Sequence, residues 1–440
     1  MTELRVGLLG LGTIGTGVAR ILIEQKELIS RRLGKQVRLV AAADRFLDRD
    51  RGLDFTGVRL CDDAADLVAA DDVDLVVELI GGYEPARSFV AAALQNGKHV
   101  VTANKALIAK HGEELFPLAA EKGLQIGFEA AVGGGIPCMK ALREGLAANA
   151  IESVYGILNG TCNFILTKME NEGADYADVL KEAQALGYAE ADPTFDVEGV
   201  DTAHKLSILA AMAFGSRIKF DEVYTEGISR ITAADIESAH EMGYRIKLLG
   251  IAKPHFNGKQ EQVEMRVHPT LVPLASQMAQ VSDSYNAVQI SGDFVEHTMY
   301  FGRGAGERPT ASAVVADIMD IASGFPDGIA HLAPPMGFVE SSRRDMPTLP
   351  MADVQCEYYL RLMVRDEPGV IAAVTSILSD HRISLEAFIQ KERHASNNVP
   401  IVMMTHETTE GNMQAAISRI TGLAAVEDDV LILRKEAAVA

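Results

Sequence analysis

The chain has 440 residues, 48% hydrophobic and 23% charged, so it is long enough for two or three domains with apolar cores. Its formal net charge of −20 argues against a nucleic-acid partner, and no uncharged apolar run reaches the ~18 residues that a membrane span needs. The four cysteines, Cys61, Cys138, Cys162 and Cys356, form no CxxC pair, which indicates free thiols in a reducing cytoplasm.

The first predicted elements are a strand at residues 5–9, the glycine run GLGTIG at 10–15 and a helix after it. This order is typical of a dinucleotide-binding turn, and it leaves no room for a signal peptide. Gly10 permits the turn, Gly12 lets a pyrophosphate approach the helix N-terminus, and Gly15 lets helix and strand pack closely. Thr13 and Ile14 complete the predicted cofactor-binding run. The alternative is a tight turn that binds nothing.

Predicted strands and helices alternate as far as residue 130. Strands at 39–43, 73–80, 98–103 and 125–130 indicate a doubly wound parallel sheet, whose ligands bind beyond the carboxyl ends of the strands. Asp44 follows the second strand, where an acid would bind the adenosine ribose, whereas Arg45 could hold a 2′-phosphate. The pair leaves NAD versus NADP open, and the arginine favours NADP or use of both.

Three further segments follow this α/β Rossmann domain, predicted at 1–130. Residues 131–330 are predicted to form an α+β substrate domain that returns to the first domain near 302–325. Prolines in 331–354 indicate a linker. Residues 355–440 have the order βαββαβ, typical of a ferredoxin-like unit.

The polar residues of the middle segment are densest from 187 to 205. Asp201 and Lys205 are four residues apart on a predicted helix, so they share one face. A lysine can act as general acid or base at a substrate oxygen, and nearby carboxylates can hold an amino group. By spacing alone the pair is more typical of a weak surface salt bridge than of a catalytic site. His204 is interpreted as a packing residue rather than a metal ligand.

With these motifs the chain resembles the homoserine dehydrogenase family along nearly its whole length. The matching segments are GLGTIG at 10–15, TANKALIA at 102–109, FEAAVGGGIP at 128–137, LNGTCNFIL at 158–166, GYAEADPTFDVEGVDTAHK at 187–205 and GRGAGERPTASAVVAD at 302–317. The resemblance implies interconversion of L-homoserine and L-aspartate 4-semialdehyde with NAD or NADP, in threonine and methionine biosynthesis.

The resemblance also implies roles for individual residues. Lys205 would be the acid or base at the substrate C4 oxygen, and Lys105 would lie near the nicotinamide and the substrate. Asp201 and Glu190 would hold the substrate, with Gly187 in the same loop. Gly304 and Gly306 resemble a second glycine turn that closes over the cofactor.

A monovalent metal ion, typically sodium, is a further implication of the resemblance. The matching positions are Glu129, Val132, Gly134 and Ile136. Carbonyl oxygens of a glycine-rich loop and one carboxylate suit a hard cation. Without the resemblance, the same loop would be interpreted as a flexible hinge.

The C-terminal unit resembles an ACT domain through DEPGV at 366–370 and ISL at 383–385. The resemblance implies an amino-acid effector, with threonine expected, and a homodimer through the middle domain or a homotetramer through ACT pairing. Two other functions stay open: a dehydrogenase for another amino or hydroxy acid, and an amino-acid sensor without catalysis.

Overall fold

The computed structural model describes residues 3–326, 333–390, 398–427 and 430–436. The chain divides into two compact units. The first unit contains Met1–Leu158, His204–Val223 and Tyr285–Met346, and the second contains Asn159–Ala203, Tyr224–Ser284 and Pro347–Ala440. The predicted boundary between residues 330 and 331 lies outside the described residues, and the predicted domain limits stay predictions.

The N-terminal segment alternates strands and helices. Its strands are β1 (Glu3–Leu9), β2 (Gln36–Ala43), β3 (Arg59–Cys61), β4 (Leu75–Glu78), β5 (His99–Thr102) and β6 (Ile126–Gly127). Its helices are α1 (Thr13–Glu24), α2 (Lys26–Leu33), α3 (Ala64–Ala69), α4 (Ala86–Gln95) and α5 (Lys105–Glu121). The strand predicted at 125–130 is only two residues long, because the chain turns at Glu129–Ala131 into a 3₁₀ helix.

These six strands form one parallel sheet in the order β3-β2-β1-β4-β5-β6. This is the order of a doubly wound dinucleotide-binding domain, which confirms the predicted Rossmann fold. Leu8, Val77 and Val101 are fully buried in its core. The strand order reverses between β1 and β4, so the loops after these two strands lie at the topological switch point.

The middle of the chain is mixed, as predicted. Its helices are α6 (Cys138–Lys140), α7 (Gly160–Glu172), α8 (Tyr176–Ala185), α9 (Thr194–Val197), α10 (Val200–Phe214), α11 (Ala233–Glu241) and α12 (Glu307–Gly324). Its strands are β7 (Ile151–Ile157), β8 (Tyr224–Thr225), β9 (Tyr244–Phe256), β10 (Glu261–Pro273), β11 (Tyr285–Gly292) and β12 (Glu296–Arg303). In the first unit, helix α12 packs Val314 and Ile318 into the same core as β1 and β4.

The C-terminal segment has the predicted βαββαβ order. Its elements are β13 (Gln355–Arg365), α13 (Val370–Asp380), β14 (Leu385–Gln390), β15 (Asn398–Thr405), β16 (Thr408–Thr409), α14 (Glu410–Thr421) and β17 (Leu431–Lys435). The antiparallel strand order β17-β13-β15-β14 confirms the ferredoxin-like unit.

Part of the predicted linker is fixed to the second unit. The backbone N–H of Val263 on β10 donates to the Pro347 carbonyl at 3.0 Å, and the N–H of Leu349 donates back to Val263 at 2.9 Å. The proline-rich segment therefore runs along a strand there rather than as a free spacer. None of the helices formed by the described residues has the length and apolar composition needed to cross a membrane.

Candidate active site

The glycine turn after β1 leaves its backbone accessible to a ligand on its outer side. Gly10 has φ of +98°, a conformation that side chains rarely adopt. A Cβ on Gly15 would lie 2.0 Å from the Gly10 carbonyl oxygen, whereas a Cβ on Gly12 would meet no atom within 4 Å. Thr13 and Ile14 begin helix α1, with Thr13 exposed. The turn thus packs tightly on its inner side and leaves open space beside Gly12.

Asp44, at the end of β2, holds this turn in place. Its Oδ2 accepts a hydrogen bond from the Leu11 N–H at 2.6 Å, and its Oδ1 accepts from the Phe46 N–H at 2.8 Å. The buried guanidinium of Arg51 lies 3.3 Å from Oδ1 and donates to the Leu11 carbonyl at 3.0 Å. Arg45 beside it is exposed. Sequence reasoning missed Arg51, because no local pattern distinguishes one loop arginine from another.

Glu78 is fully buried at the carboxyl end of β4. Its Oε1 accepts from the N–H groups of Ile80 and Gly81, at 2.8 and 3.0 Å, and its Oε2 accepts from the Thr102 hydroxyl at 2.7 Å. The Thr102 oxygen in turn accepts from the Asn104 N–H at 3.0 Å. The Glu78 carboxylate therefore fixes the loops after β4 and β5, and ligands are expected to bind beyond the carboxyl ends of these strands. Sequence reasoning did not find this role for Glu78.

Lys105 is the first residue of helix α5 and is half-buried. Asn104 caps this helix, since its Oδ1 accepts from the Leu107 N–H at 3.1 Å. The Asn104 Nδ2 also donates to the Gly82 carbonyl at 2.7 Å. The backbone that carries Lys105 is thus tied to the loop after β4.

Lys205 lies on helix α10 and is 8% exposed. Its Nζ donates to the Leu158 carbonyl at 2.6 Å. The preceding residue, His204, stacks on Phe220 with 3.9 Å between ring centroids, and its Nε2 lies 3.4 Å from the Tyr83 hydroxyl. His204 therefore packs within the first unit, in agreement with its interpretation.

Asp201 lies on the same helix, one turn before Lys205, and is 3% exposed. Within the second unit, the Asn159 Nδ2 donates to Asp201 Oδ2 at 2.9 Å and to Asp196 Oδ1 at 2.8 Å. The Asn159 Oδ1 caps helix α7 through the Cys162 N–H at 2.8 Å. Glu190 and Gly187 lie in an exposed loop of the same unit, where Gly187 has φ of +76°.

Asn159 was not predicted as a site residue, although an asparagine directly before a helix is a readable cap signal. Its second function, orienting two carboxylates, depends on residues about forty positions away and has no local signal. Asp201 and Lys205 were predicted to lie one turn apart on the same helix. The structure places both on α10.

Glu129 is 2% exposed and anchors the glycine loop that follows it. Its carboxylate accepts from the N–H groups of Met139 and Lys140, at 3.1 and 2.8 Å. Burial, with the nearby Asp317 charge, raises the pKa of Glu129 to about 8. Val132 and Ile136 are buried in the same loop.

The loop turns at Gly133 and Gly134, both with positive φ. A Cβ on Gly134 would lie 2.4 Å from the Gly304 carbonyl, so the two predicted glycine turns touch within the first unit. Gly306 follows with φ of +118° and precedes helix α12. Within the described part of the chain, no three His, Cys, Asp or Glu side chains form a metal-binding group. The loop carbonyls are the alternative donors.

Three family models match successive parts of the chain. The NAD-binding domain of homoserine dehydrogenase matches residues 10–129, the homoserine dehydrogenase domain matches 137–319, and the ACT domain matches 358–425. The chain is 48% identical over 436 residues to the homoserine dehydrogenase of Neisseria gonorrhoeae, covering 99% of both chains.

The chain is also similar to solved structures of homoserine dehydrogenases. The crystal structure of a homoserine dehydrogenase from Thiobacillus denitrificans aligns with a TM-score of 0.94 at 51% identity, covering 100% of this chain and 99% of that one. A hyperthermophilic archaeal homoserine dehydrogenase in complex with NADPH aligns with a TM-score of 0.63 at 27% identity, covering 74% of this chain and 99% of that one.

Proposed function

This chain belongs to the homoserine dehydrogenase family and is an NAD(P)-dependent enzyme of that family, and we propose that Lys205 is the acid–base residue of its reaction. The observation that carries the proposal is the position of Lys205 on helix α10: it is nearly buried, and its ammonium group is held by the Leu158 carbonyl. A lysine held in a fixed position can pass a proton to or from a substrate oxygen.

The reaction removes a hydride from C4 of L-homoserine and a proton from the hydroxyl group on the same carbon. A bound nicotinamide supplies the hydride acceptor for this step and the hydride donor for its reverse. Lys205 takes the proton of the C4 hydroxyl as the C–H bond breaks, which leaves L-aspartate 4-semialdehyde. In the reverse direction Lys205 returns that proton to the aldehyde oxygen.

The carboxylates of the second unit supply the substrate contacts in this proposal. Asp201 and Glu190 hold the ammonium and hydroxyl groups of homoserine, with Gly187 in the Glu190 loop. Asn159 supports the proposal because it fixes the Asp201 carboxylate through a 2.9 Å bond. Lys105 lies beside the nicotinamide and substrate, on backbone held by Asn104.

The cofactor binds at the glycine turn of Gly10, Gly12 and Gly15, with Gly304 and Gly306 closing over it. Both Asp44 oxygens already accept backbone hydrogen bonds, so the main role of this carboxylate is to stabilise the turn. Arg45 is exposed next to it and can pair with a 2′-phosphate. We therefore propose NADP as the preferred cofactor, with NAD also accepted.

A monovalent cation, sodium, is proposed for the loop of Glu129, Val132, Gly134 and Ile136. The donor set fits a hard cation, since it offers buried backbone carbonyls and one carboxylate. Such an ion would brace the loop and take no part in proton or hydride transfer. Replacing sodium by choline in the buffer should lower the thermal midpoint; an unchanged midpoint and rate would refute the site.

Regulation and assembly are also proposed. The ACT domain is expected to bind threonine, the end product, and to slow the dehydrogenase by favouring a less active state. A homodimer through the middle domain, or a homotetramer through ACT pairing, is expected. Light scattering of the purified chain gives the subunit count, and a monomer at micromolar concentration would contradict both assemblies.

Initial rates test the function directly. L-homoserine should reduce NADP and NAD, and threonine should slow both reactions. A panel of other amino and hydroxy acids separates this enzyme from a related dehydrogenase. Cofactor binding without turnover of any substrate would instead favour an amino-acid sensor.

A further inference from the structure

The segment 215–221 directly follows helix α10 and lies against helix α5. Gly215, the first residue after α10, has φ of +65° and turns the chain. The Ile218 N–H then donates to Glu113 Oε1 on α5 at 2.8 Å. A Cβ on Gly112 would lie 2.9 Å from Ile218 Cδ1, so the segment docks closely on α5. None of its residues has a function in the proposed reaction.

The ring of Phe220 in this segment contacts both helices. It stacks on the His204 ring of α10, with 3.9 Å between the ring centroids and 18° between the ring planes. The Lys110 Nζ of α5 lies 4.9 Å from the Phe220 centroid, which is a cation–π distance. The same ammonium group pairs with Asp221. Phe220 is thus a bridge between α5 and the turn of α10 that carries Lys205.

His204 directly precedes Lys205, so a contact that holds the His204 ring also fixes the backbone from which the lysine extends. The His204 Nε2 lies 3.4 Å from the Tyr83 hydroxyl, in the loop after β4. Stacked rings prefer particular offsets and angles, so a rotation or a slide of α10 would disrupt the contact with Phe220. Phe220 and Tyr83 therefore hold this turn of the helix from two different segments.

Arg343 anchors the segment that carries Phe220. Its buried guanidinium donates to the Ser216 carbonyl at 3.1 Å and pairs with Glu113. The N–H of Arg344 donates to the Gly215 carbonyl at 2.9 Å. The backbone before Phe220 is therefore fixed, and the ring meets His204 from a rigid support.

We infer that Phe220 is a positioning residue for Lys205. Its ring holds His204, and through that residue it sets where the Lys205 ammonium lies relative to the C4 oxygen of homoserine. A displacement of about 1 Å in an active site can slow a reaction about a hundredfold, so a ring outside the proposed substrate contacts can still control the rate. The inference rests on the proposed acid–base role of Lys205 and deepens it.

Substitutions of Phe220 in the full-length enzyme test the inference. Phe220→Leu and Phe220→Met remove the ring and keep an apolar side chain, whereas Phe220→Tyr keeps the ring. Phe116→Leu is the matched control, because it removes a buried ring of α5 that packs on Phe128 rather than on His204. Homoserine oxidation gives kcat and KM for each variant, and the thermal midpoint shows whether it is folded. The Phe220 variants are also made in the Lys205→Ala background.

Phe220→Leu and Phe220→Met should lower kcat about tenfold or more and change KM for homoserine and for NADP by less than about threefold. Phe220→Tyr and Phe116→Leu should stay within about twofold of the wild-type kcat. In the Lys205→Ala background, loss of the ring should lower kcat by less than about twofold, because no ammonium group is left to position.

A near-normal kcat in folded Phe220→Leu or Phe220→Met would overturn the inference, and so would a loss in Phe220→Tyr as large as in the leucine variant. A tenfold loss that persists in the Lys205→Ala background would show that the ring does not act through the lysine. Near-normal turnover by Lys205→Ala itself would overturn the acid–base proposal and the inference together. A large loss in Lys205→Ala with normal Phe220 variants would overturn the inference alone.

Discussion

The Thr102 hydroxyl donates to Glu78 Oε2 at 2.7 Å, and this bond joins the carboxyl ends of two neighbouring parallel strands. Through Thr102 and Asn104 it reaches the start of the helix that carries Lys105. The Glu78 carboxylate accepts three hydrogen bonds, from the N–H groups of Ile80 and Gly81 and from the Thr102 hydroxyl. We propose that Glu78 is a positioning residue for the cofactor side of the site.

Glu78→Ala should lower the free energy of unfolding by about 1–3 kcal/mol, because two N–H groups and a hydroxyl lose their acceptor. It should also raise KM for the cofactor more than it lowers kcat. Urea denaturation and initial rates measure the two effects. Glu78→Gln keeps a side-chain acceptor and should recover most of both; if it behaves like the alanine variant, the hydrogen bonds are not the cause.

Lys205→Ala should lower kcat by about 10²–10⁴-fold, which is the usual contribution of an acid–base group. The KM for homoserine should change much less. Lys181→Ala, at a lysine whose side chain is 75% exposed, is the control and should keep wild-type rates. Near-normal turnover by a folded Lys205→Ala protein would remove Lys205 from the mechanism.

Arg45→Ala should reduce kcat/KM for NADP by about tenfold and leave kcat/KM for NAD within about twofold, since only NADP loses a charge-assisted phosphate contact. Arg49→Ala alters another exposed arginine of the same loop and should leave the ratio unchanged. An equal fall in kcat/KM for NADP and for NAD would show that Arg45 does not contact the 2′-phosphate.

Acid should destabilise the second unit through Glu264 on β10. Burial raises the pKa of Glu264, but the hydrogen bond from His255 and the charges of Arg266 and Lys253 lower it to about 2. Because the folded pKa lies below the unfolded value of about 4.3, the stabilisation is present above that value and is lost as pH falls toward 2. Its full size is about 3 kcal/mol.

Urea midpoints between pH 5 and pH 3 measure this dependence. Glu264→Gln should have a lower midpoint at pH 5 and a shallower fall toward pH 3 than the wild type. Glu261→Gln changes an exposed carboxylate at the start of the same strand and should keep the wild-type slope. Parallel slopes for Glu264→Gln and the wild type would contradict the assignment.

The sequence alone predicted the Rossmann domain and the ferredoxin-like unit, because both depend on local signals. Alternating apolar segments define strands and helices, and the run from Gly10 to Gly15 places its turn chemistry within six residues. The placement of Asp201 and Lys205 one turn apart on a single helix also follows from helix periodicity alone. The threonine effector, the cation and the roles of the site residues stay predictions.

Only the tertiary structure decided which polar groups meet. Glu78 and Thr102 are 24 residues apart, and Asn159 and Asp201 are 42 apart, so no local pattern joins them. Periodicity determines which face a residue lies on, whereas a hydrogen bond depends on where two distant segments of backbone pass each other. The contacts of Phe220 with His204 and Lys110 have the same origin, since these three side chains come together only in the folded chain.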